Sequence, residues 1–267
     1  DQTSYYRSSE VEAVIHKALN YWFTAKPVCL NWWYNQIGIP KTLGTVFILF
    51  EKQLTPVEKQ NAITVMENAK FGMTGQNKVW LAGNVMMRAL LQNDYELVKM
   101  ARDTIASDIV TGGVEGIKDD WCFHQHGAQQ QFGNYGLSFV SGMSFFSGLF
   151  SGTSLAFDDK QLSILSTLID KGYRWVIWKG MMDVNALGRQ LFHHAPVHKA
   201  LSLAFAASEL GGGESDECVA VATALLRDNY PAPAVNVLTG HKHFWQSDYT
   251  IHRRPSWMAS IKMASDR

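Results

Sequence analysis

Apolar residues recur every three or four positions along most of the chain, which is the spacing of one face of an α-helix. Stretches with this spacing are 11–22, 62–69, 97–105, 162–176, 197–205 and 218–225. Residues 79–91 are apolar on nearly every side, which predicts a buried helix. Strand-like alternation is scarce. The pattern therefore predicts an all-α protein of about eight to ten helices, most simply helical hairpins arranged around an axis.

One uncharged stretch, 137–157, has the length of a membrane span. Seven of its 21 residues are Ser or Thr, and serines at 138, 141, 144 and 147 form a stripe of small side chains along a helix. Such a stripe favours close packing between helices inside a soluble protein. We therefore predict no membrane partner.

Four segments rich in Gly, Asn, Trp and His interrupt the helical pattern, at 31–40, 71–77, 112–136 and 180–196. Loops carried by a rigid scaffold are where chemistry usually lies. Residues 229–267 lack clear periodicity. We therefore predict a helical domain over 1–228, followed by a linker over 229–267 that leads to another domain.

Charge and cysteine usage exclude several classes of protein. With 24 basic and 24 acidic side chains the net charge is zero, so nucleic acid is not an expected partner and an anionic ligand requires a local basic cluster. Three widely spaced cysteines form neither a disulfide framework nor a metal motif. The nine histidines include neighbouring pairs but no HExxH motif, so we expect no metal and no cofactor.

The segment 119–136 contains the most informative pattern, in which His126 and Tyr135 lie nine positions apart. The spacing fits a packed core pair as well as a pair that transfers protons. Asn77 precedes a predicted helix, where it could cap the helix or bind a ligand. Arg189 fits a surface ion pair or a cation in a site.

Two further patterns leave alternatives open. Trp32 and Trp33 are neighbours, so a loop could present both to sugar rings, whereas a helix would bury only one of them. Asp119 and Asp120 suggest a glycoside hydrolase acting on an acidic glycan, although adjacent carboxylates generally point apart and a glycosidase needs two facing groups.

Several motifs resemble a polysaccharide lyase family, that of the chondroitin AC lyases, hyaluronate lyases and xanthan lyases. The similar segments follow one another in the family's order, at 31–38, 75–78, 125–136, 182–189 and 244–255. The resemblance implies that Asn77 binds the substrate carboxylate, that His126 and Tyr135 handle protons and that Arg189 activates them. It assigns substrate binding to Trp32, Trp33 and His193. Two positions depart from the chondroitin AC type: His193 replaces a second Arg, and His124 replaces an apolar residue.

The resemblance also implies the fold and the reaction. It predicts an incomplete α/α toroid whose cleft is completed by β-sandwich domains, in cis or in trans, in a secreted or periplasmic bacterial protein. The expected reaction is β-elimination on an anionic polysaccharide, which leaves unsaturated uronate ends. Removing the weakly acidic C5 proton requires groups that offset the carboxylate charge and a base, for which Asn77 and a phenolate form of Tyr135 beside Arg189 are suited. A non-catalytic module that binds glycans is the remaining alternative.

Overall fold

The computed structural model describes residues 5–211 and 238–264. The chain forms two compact units, one of Asp1–Met73 with Trp80–Ile105 and one of Thr74–Val79 with Ala106–Arg267. The α-helices described are α1 (Ser9–Ala25), α2 (Ile39–Leu49), α3 (Pro56–Met66), α4 (Gly75–Gln92), α5 (Tyr95–Ala106), α6 (Leu137–Phe150), α7 (Asp159–Thr167) and α8 (Ala195–Gly211). The strands are β1 (Gly116–Ile117), β2 (Phe123–His124), β3 (Ile177–Trp178), β4 (Met181–Met182), β5 (Gly240–Phe244), β6 (Tyr249–Arg254) and β7 (Trp257–Lys262).

The mostly helical class is therefore confirmed, and the apolar spacing located most helices. The predicted stretches at 11–22, 79–91, 97–105 and 197–205 lie within α1, α4, α5 and α8. The stretch at 162–176 begins in α7 and passes into a π-helical turn, Leu168–Tyr173. The stretch at 218–225 lies outside the described residues.

In the first unit, Glu58 connects α1 with α3. Its carboxylate forms a reciprocal capping box with Thr55 at the start of α3. The same carboxylate is 2.8 Å from His16 Nδ1 and accepts a 3.0 Å hydrogen bond from Asn20 Nδ2, both on α1. These bonds explain why a carboxylate only 2% exposed is tolerated there. The surrounding apolar core consists of Leu19, Phe23, Phe47, Ala62, Met66 and Leu91.

The expected loop at 31–40 is wrong, because most of it is helical. Asn31 Oδ1 accepts a 3.0 Å hydrogen bond from Trp33 N, and a π-helical turn, Tyr34–Gly38, continues directly into α2. Gly38 permits this turn, since a Cβ there would lie 2.7 Å from Trp33 Cζ3. Trp32 and Trp33 are therefore presented by helical backbone.

In the second unit, α6 packs against α8. Ser144 on α6 is fully buried, and its hydroxyl donates to Ala206 O on α8 at 2.9 Å. At this position the predicted stripe of small residues does allow close helix packing. None of the helices within 5–211 is long and apolar enough to cross a bilayer.

A three-stranded antiparallel sheet, β5-β6-β7, occupies 240–262. The predicted linker is therefore wrong over these residues, whereas 229–237 lie outside the described part. The sheet belongs to the second unit and packs on its preceding segments: Phe244 contacts Phe132 edge-on, with ring centroids 5.2 Å apart, and Tyr249 Oη donates to Asp183 at 2.5 Å. The alternation was hidden because Arg253 shares the buried face of β6, where its guanidinium donates to Arg174 O at 2.6 Å.

Candidate active site

The second unit brings three of the predicted site residues into contact. Arg189 Nη2 donates a 3.0 Å hydrogen bond to Tyr135 Oη. The His126 ring meets the Tyr135 ring edge-on, with centroids 4.9 Å apart. Arg189 forms no ion pair among the described residues. A phenol, an imidazole and a guanidinium thus share one site.

Tyr135 lies in a π-helical turn, Phe132–Gly136, that leads into α6. The Tyr135 side chain is only 6% exposed. Two glycines let the turn approach its neighbours: a Cβ on Gly133 would lie 2.8 Å from Leu187 Cα, and one on Gly136 would lie 2.5 Å from Tyr173 Oη. Gly133 therefore allows the segment that carries Arg189 to lie against the turn that carries Tyr135.

His126 lies at the tip of a tight hairpin. Gln131 N donates to Phe123 O at 2.8 Å, and Gln125 N donates to Gln129 O at 3.1 Å. Both tip residues have positive φ, 61° at His126 and 77° at Gly127. His tolerates this left-handed conformation better than most residues, and the hairpin leaves its imidazole exposed. The hairpin therefore offers His126 to solvent on one side and to Tyr135 on the other.

Asn77 lies within the first turn of α4, which begins at Gly75, so the expectation that it caps the helix from outside is wrong. Its side chain is 5% exposed, and Oδ1 is buried without a hydrogen-bond partner among the described residues. A buried carbonyl without a donor is costly, and such atoms need an explanation such as a ligand or a bound water.

Gln125 and Glu115 connect the start of α4 with the His126 hairpin. Gln125 Oε1 accepts from Gln76 N at 2.8 Å, and its Nε2 donates to Thr74 O at 3.2 Å. The Glu115 carboxylate accepts from Thr74 Oγ1 at 2.5 Å, from Gly127 N at 3.1 Å and from Gln125 Nε2. The chain neighbours of Asn77 and of His126 are therefore held by one hydrogen-bond network.

Arg189 follows a short 3₁₀ turn, Val184–Ala186, which is capped by the Asp183 side chain. The next residue, Gln190, accepts a 2.6 Å hydrogen bond from the buried Lys199 Nζ. Lys199 Nζ also donates to Gly133 O, in the turn that carries Tyr135. Burial lowers the pKa of Lys199.

The remaining predicted residues do not join this contact set. His193 is exposed and packs against His194, with ring centroids 3.7 Å apart. Trp32 and Trp33 belong to the first unit, where Trp32 is 42% exposed and Trp33 is half-buried. Trp33 meets Trp80 edge-on at 5.5 Å, and its buried Nε1 has no partner among the described residues. Thus one Trp is exposed and one is partly buried, as the helical alternative predicted.

The two adjacent carboxylates do not form a catalytic pair. Asp120 is buried and accepts hydrogen bonds from Cys122 N at 3.0 Å and from Gln246 N at 2.7 Å. Asp119 is exposed. Asp120 therefore joins the hairpin segment to the β5-β6 connection. Across 5–211 and 238–264, no three His, Cys, Asp or Glu side chains cluster as metal ligands would.

A cavity of about 520 Å³ opens beside His126. Its lining includes His126 and Gln130 from the hairpin, Gln246 from the β5-β6 connection and Lys262 at the end of β7. The cavity therefore combines groups from the hairpin and from the sheet, and the Lys262 ammonium is suited to an acidic ligand.

Sequence reasoning missed Glu115, Gln125 and Lys199. Gln125 stands beside His126, but nothing in its type distinguishes it from a surface amide. Lys199 lies on α8, and a lysine on a helix usually faces solvent, so its burial was not expected. Their contacts span 41 residues between Glu115 and Thr74 and 66 residues between Lys199 and Gly133, so no local pattern could reveal them.

Comparison with known proteins places the chain among polysaccharide lyases. Residues 1–208 match the N-terminal alpha-helical domain of polysaccharide lyase family 8, and 239–267 match that family's super-sandwich domain. Chondroitinase-AC of Pedobacter heparinus is 29% identical over 98% of this chain and 38% of its own length. A hyaluronate lyase of Thermasporomyces composti is 26% identical over 89% of this chain and 35% of its own length.

A solved structure of chondroitinase AC lyase, studied as oligosaccharide complexes, superposes with a TM-score of 0.85 at 26% identity. The match covers 99% of this chain and 40% of that structure. The chain thus spans about two fifths of the length of these relatives.

Proposed function

The chain belongs to polysaccharide lyase family 8, and we propose that it supplies the catalytic residues for β-elimination on a glycan that contains uronic acid, such as chondroitin or hyaluronan. The observation that carries this proposal is the 3.0 Å hydrogen bond from Arg189 to Tyr135 Oη, with His126 edge-on to the same phenol. This set can move a proton without a hydrolytic water.

In the proposed reaction, Tyr135 as phenolate takes the proton from C5 of the uronic acid. The electron pair left at C5 forms the C4–C5 double bond while the bond from C4 to O4 breaks. Tyr135 then returns a proton to the departing O4 and becomes phenolate again. The Arg189 guanidinium stabilises the negative phenolate oxygen, because it is already oriented towards that atom. The product carries an unsaturated uronate at its new end.

Asn77 is proposed to offset the negative charge that grows on the carboxylate as C5 loses its proton. That role requires the Nδ2 donors, since Oδ1 can only accept a hydrogen bond. The buried Oδ1, which has no partner among the described residues, supports an amide that contacts within the helix do not account for. His126 shares the role of the base or holds the carboxylate, which its exposure beside Tyr135 permits. His193, Trp32 and Trp33 are proposed to bind sugar residues further along the polymer.

The helices are proposed to form part of an incomplete α/α toroid, supported by the TM-score of 0.85 to chondroitinase AC lyase. We further propose that β-sandwich structure beyond the strands β5, β6 and β7, present in cis or supplied in trans, completes the cleft. The chain's share of its relatives' length supports this division. Because a polymeric glycan is met outside the cell, we propose action in the periplasm or after secretion.

The test is incubation with chondroitin, hyaluronan and an uncharged glycan, followed by the ultraviolet absorbance of unsaturated uronate. We expect the signal only with the acidic polymers. Tyr135→Phe should lower elimination by at least ~100-fold, the usual effect of losing acid–base catalysis, while glycan binding and helix content persist. Tyr95→Phe, which removes an exposed hydroxyl in the first unit, is the control.

The product separates the alternatives. Cleavage with a saturated end would identify a hydrolase, and binding without cleavage would identify a glycan-binding module. If Tyr135→Phe kept near-normal elimination, Tyr135 would be a core residue and the proposed mechanism would be wrong.

A further inference from the structure

Lys199 is a buried cation behind the Tyr135–Arg189 pair. It lies near the start of α8 and is only 5% exposed. Its Nζ donates to Gly133 O and to Gln190 Oε1, the latter at 2.6 Å, and lies 5.7 Å from the Phe192 ring centroid. The two hydrogen-bond acceptors are neutral.

This placement is unfavourable for folding. No carboxylate among the described residues lies within ion-pair distance of Lys199, so none of them offsets the cost of burying its charge. An apolar side chain of similar length would avoid that cost, so packing alone does not explain a lysine here.

The two acceptors show what the lysine does. Gly133 precedes Tyr135 by two residues in the π-helical turn, and Gln190 directly follows Arg189. A single ammonium therefore holds the backbone two residues before Tyr135 and the side chain of the residue that follows Arg189. These are the two segments whose separation sets the hydrogen bond between Tyr135 and Arg189.

We propose that Lys199 is a positioning residue that keeps Arg189 against Tyr135 for the proton transfer. The proposal rests on the proposed function for its kinetic consequence. Its structural claim, that Lys199 fastens the turn 132–136 to the segment after Gly188, is independent of any reaction.

The test compares Lys199→Met with Lys118→Met. Lys118 is a matched control, since it is also buried, at 8% exposure, and its Nζ donates to a backbone carbonyl, that of Gly113. We expect Lys199→Met to lower kcat about tenfold or more with KM changed less than about twofold, because a misplaced catalytic group impairs the transition state more than binding. In the same variant, amide exchange at 133–136 should accelerate about tenfold or more relative to Lys118→Met.

A double-mutant cycle tests the connection directly. Gln190→Ala removes one acceptor from an exposed position, so this variant should fold. It should lower kcat in the same direction, and combining it with Lys199→Met should add little, because both changes break one arrangement. If Lys199→Met did not fold, Gln190→Ala alone would still have to lower kcat and accelerate exchange at 133–136.

The outcomes separate the two proposals. If wild type forms no unsaturated uronate even when the remaining β-sandwich domains are supplied, the proposed function fails, while the exchange measurement still decides the role of Lys199. Unchanged exchange at 133–136, or additive effects of the two substitutions on kcat, would overturn the positioning role even in an active lyase.

Discussion

His124 makes the stability of the second unit depend on pH. Its ring is 2% exposed, and Nε2 lies 2.9 Å from Ser247 Oγ in the β5-β6 connection. Burial is the main cause that lowers the pKa of His124 from 6.5 to about 4, and Lys118 and Lys262 lower it further while Asp120 opposes them. The folded protein therefore keeps this imidazole neutral at pH values at which the unfolded chain protonates it.

The sign follows from proton counting. Between pH 6.5 and about 4 the unfolded state binds more protons at this position than the folded state, so stability falls as pH falls. The stability that depends on a neutral His124 is fully present above pH 6.5 and is lost by about pH 4. A change from 6.5 to about 4 corresponds to about 3 kcal/mol in the free energy of unfolding, a substantial part of the ~5–15 kcal/mol of a typical domain.

The measurement is urea unfolding of wild type and His124→Gln at several pH values from 7.5 to 4, followed by circular dichroism. Glutamine can still hydrogen-bond with Ser247 but does not titrate, so its stability should fall by about 3 kcal/mol less than that of wild type over this range. Other titrating groups, including Glu58, remain in both proteins and cancel in the difference. His243→Gln controls for removing an exposed imidazole. Parallel stability curves for wild type and His124→Gln would refute the reasoning.

Two further predictions concern packing at the site and binding of the glycan. Gly133→Ala should lower the free energy of unfolding by ~1–3 kcal/mol and also lower kcat, because its Cβ would lie 2.8 Å from Leu187 Cα. Thermal unfolding and turnover measurements check this. In the control Gly142→Ala, where a Cβ would meet nothing within 4 Å, neither the stability nor kcat should fall. Trp33→Ala should raise KM for the acidic polymer and leave kcat within a few-fold, since a sugar-stacking surface holds ground and transition states alike. Initial-rate kinetics test it against Trp257→Ala on β7, and a fall in kcat alone would contradict it.

The helical part of the fold could be predicted because apolar side chains repeat along one face of most helices. The prediction failed where backbone geometry departs from that repeat. Residues 34–38 form a π-helical turn, in which the periodicity changes and Gly38 avoids the Trp33 ring. The segment then contains enough Asn, Trp and Gly to resemble a loop, although it is continuous with α2.

The candidate site was only partly predictable from the sequence. Tyr135, His126 and Arg189 were predicted through the resemblance to the polysaccharide lyase family, because spacing alone left a packed core pair and a surface ion pair open. The structure brings the three side chains into contact. Lys199 and Glu115 were not foreseen, because their roles arise from hydrogen bonds to atoms far along the chain. A buried lysine with no carboxylate partner among the described residues also contradicts the expectation that charged residues on helices face water.

The sheet β5-β6-β7 bears on the chemistry through two buried polar side chains near the hairpin. Asp120 accepts a hydrogen bond from Gln246 N, and His124 lies against Ser247, so both partners come from the β5-β6 connection. Without those partners a buried carboxylate and a buried imidazole would each lose a hydrogen bond, at ~1–3 kcal/mol or more per group. Because His124 stands two residues before His126, such a loss would act directly on the hairpin that presents the His126 imidazole. The strands therefore belong to the same compact unit as the segments that carry Tyr135 and Arg189, and the segment 246–264 forms one side of the cavity beside His126.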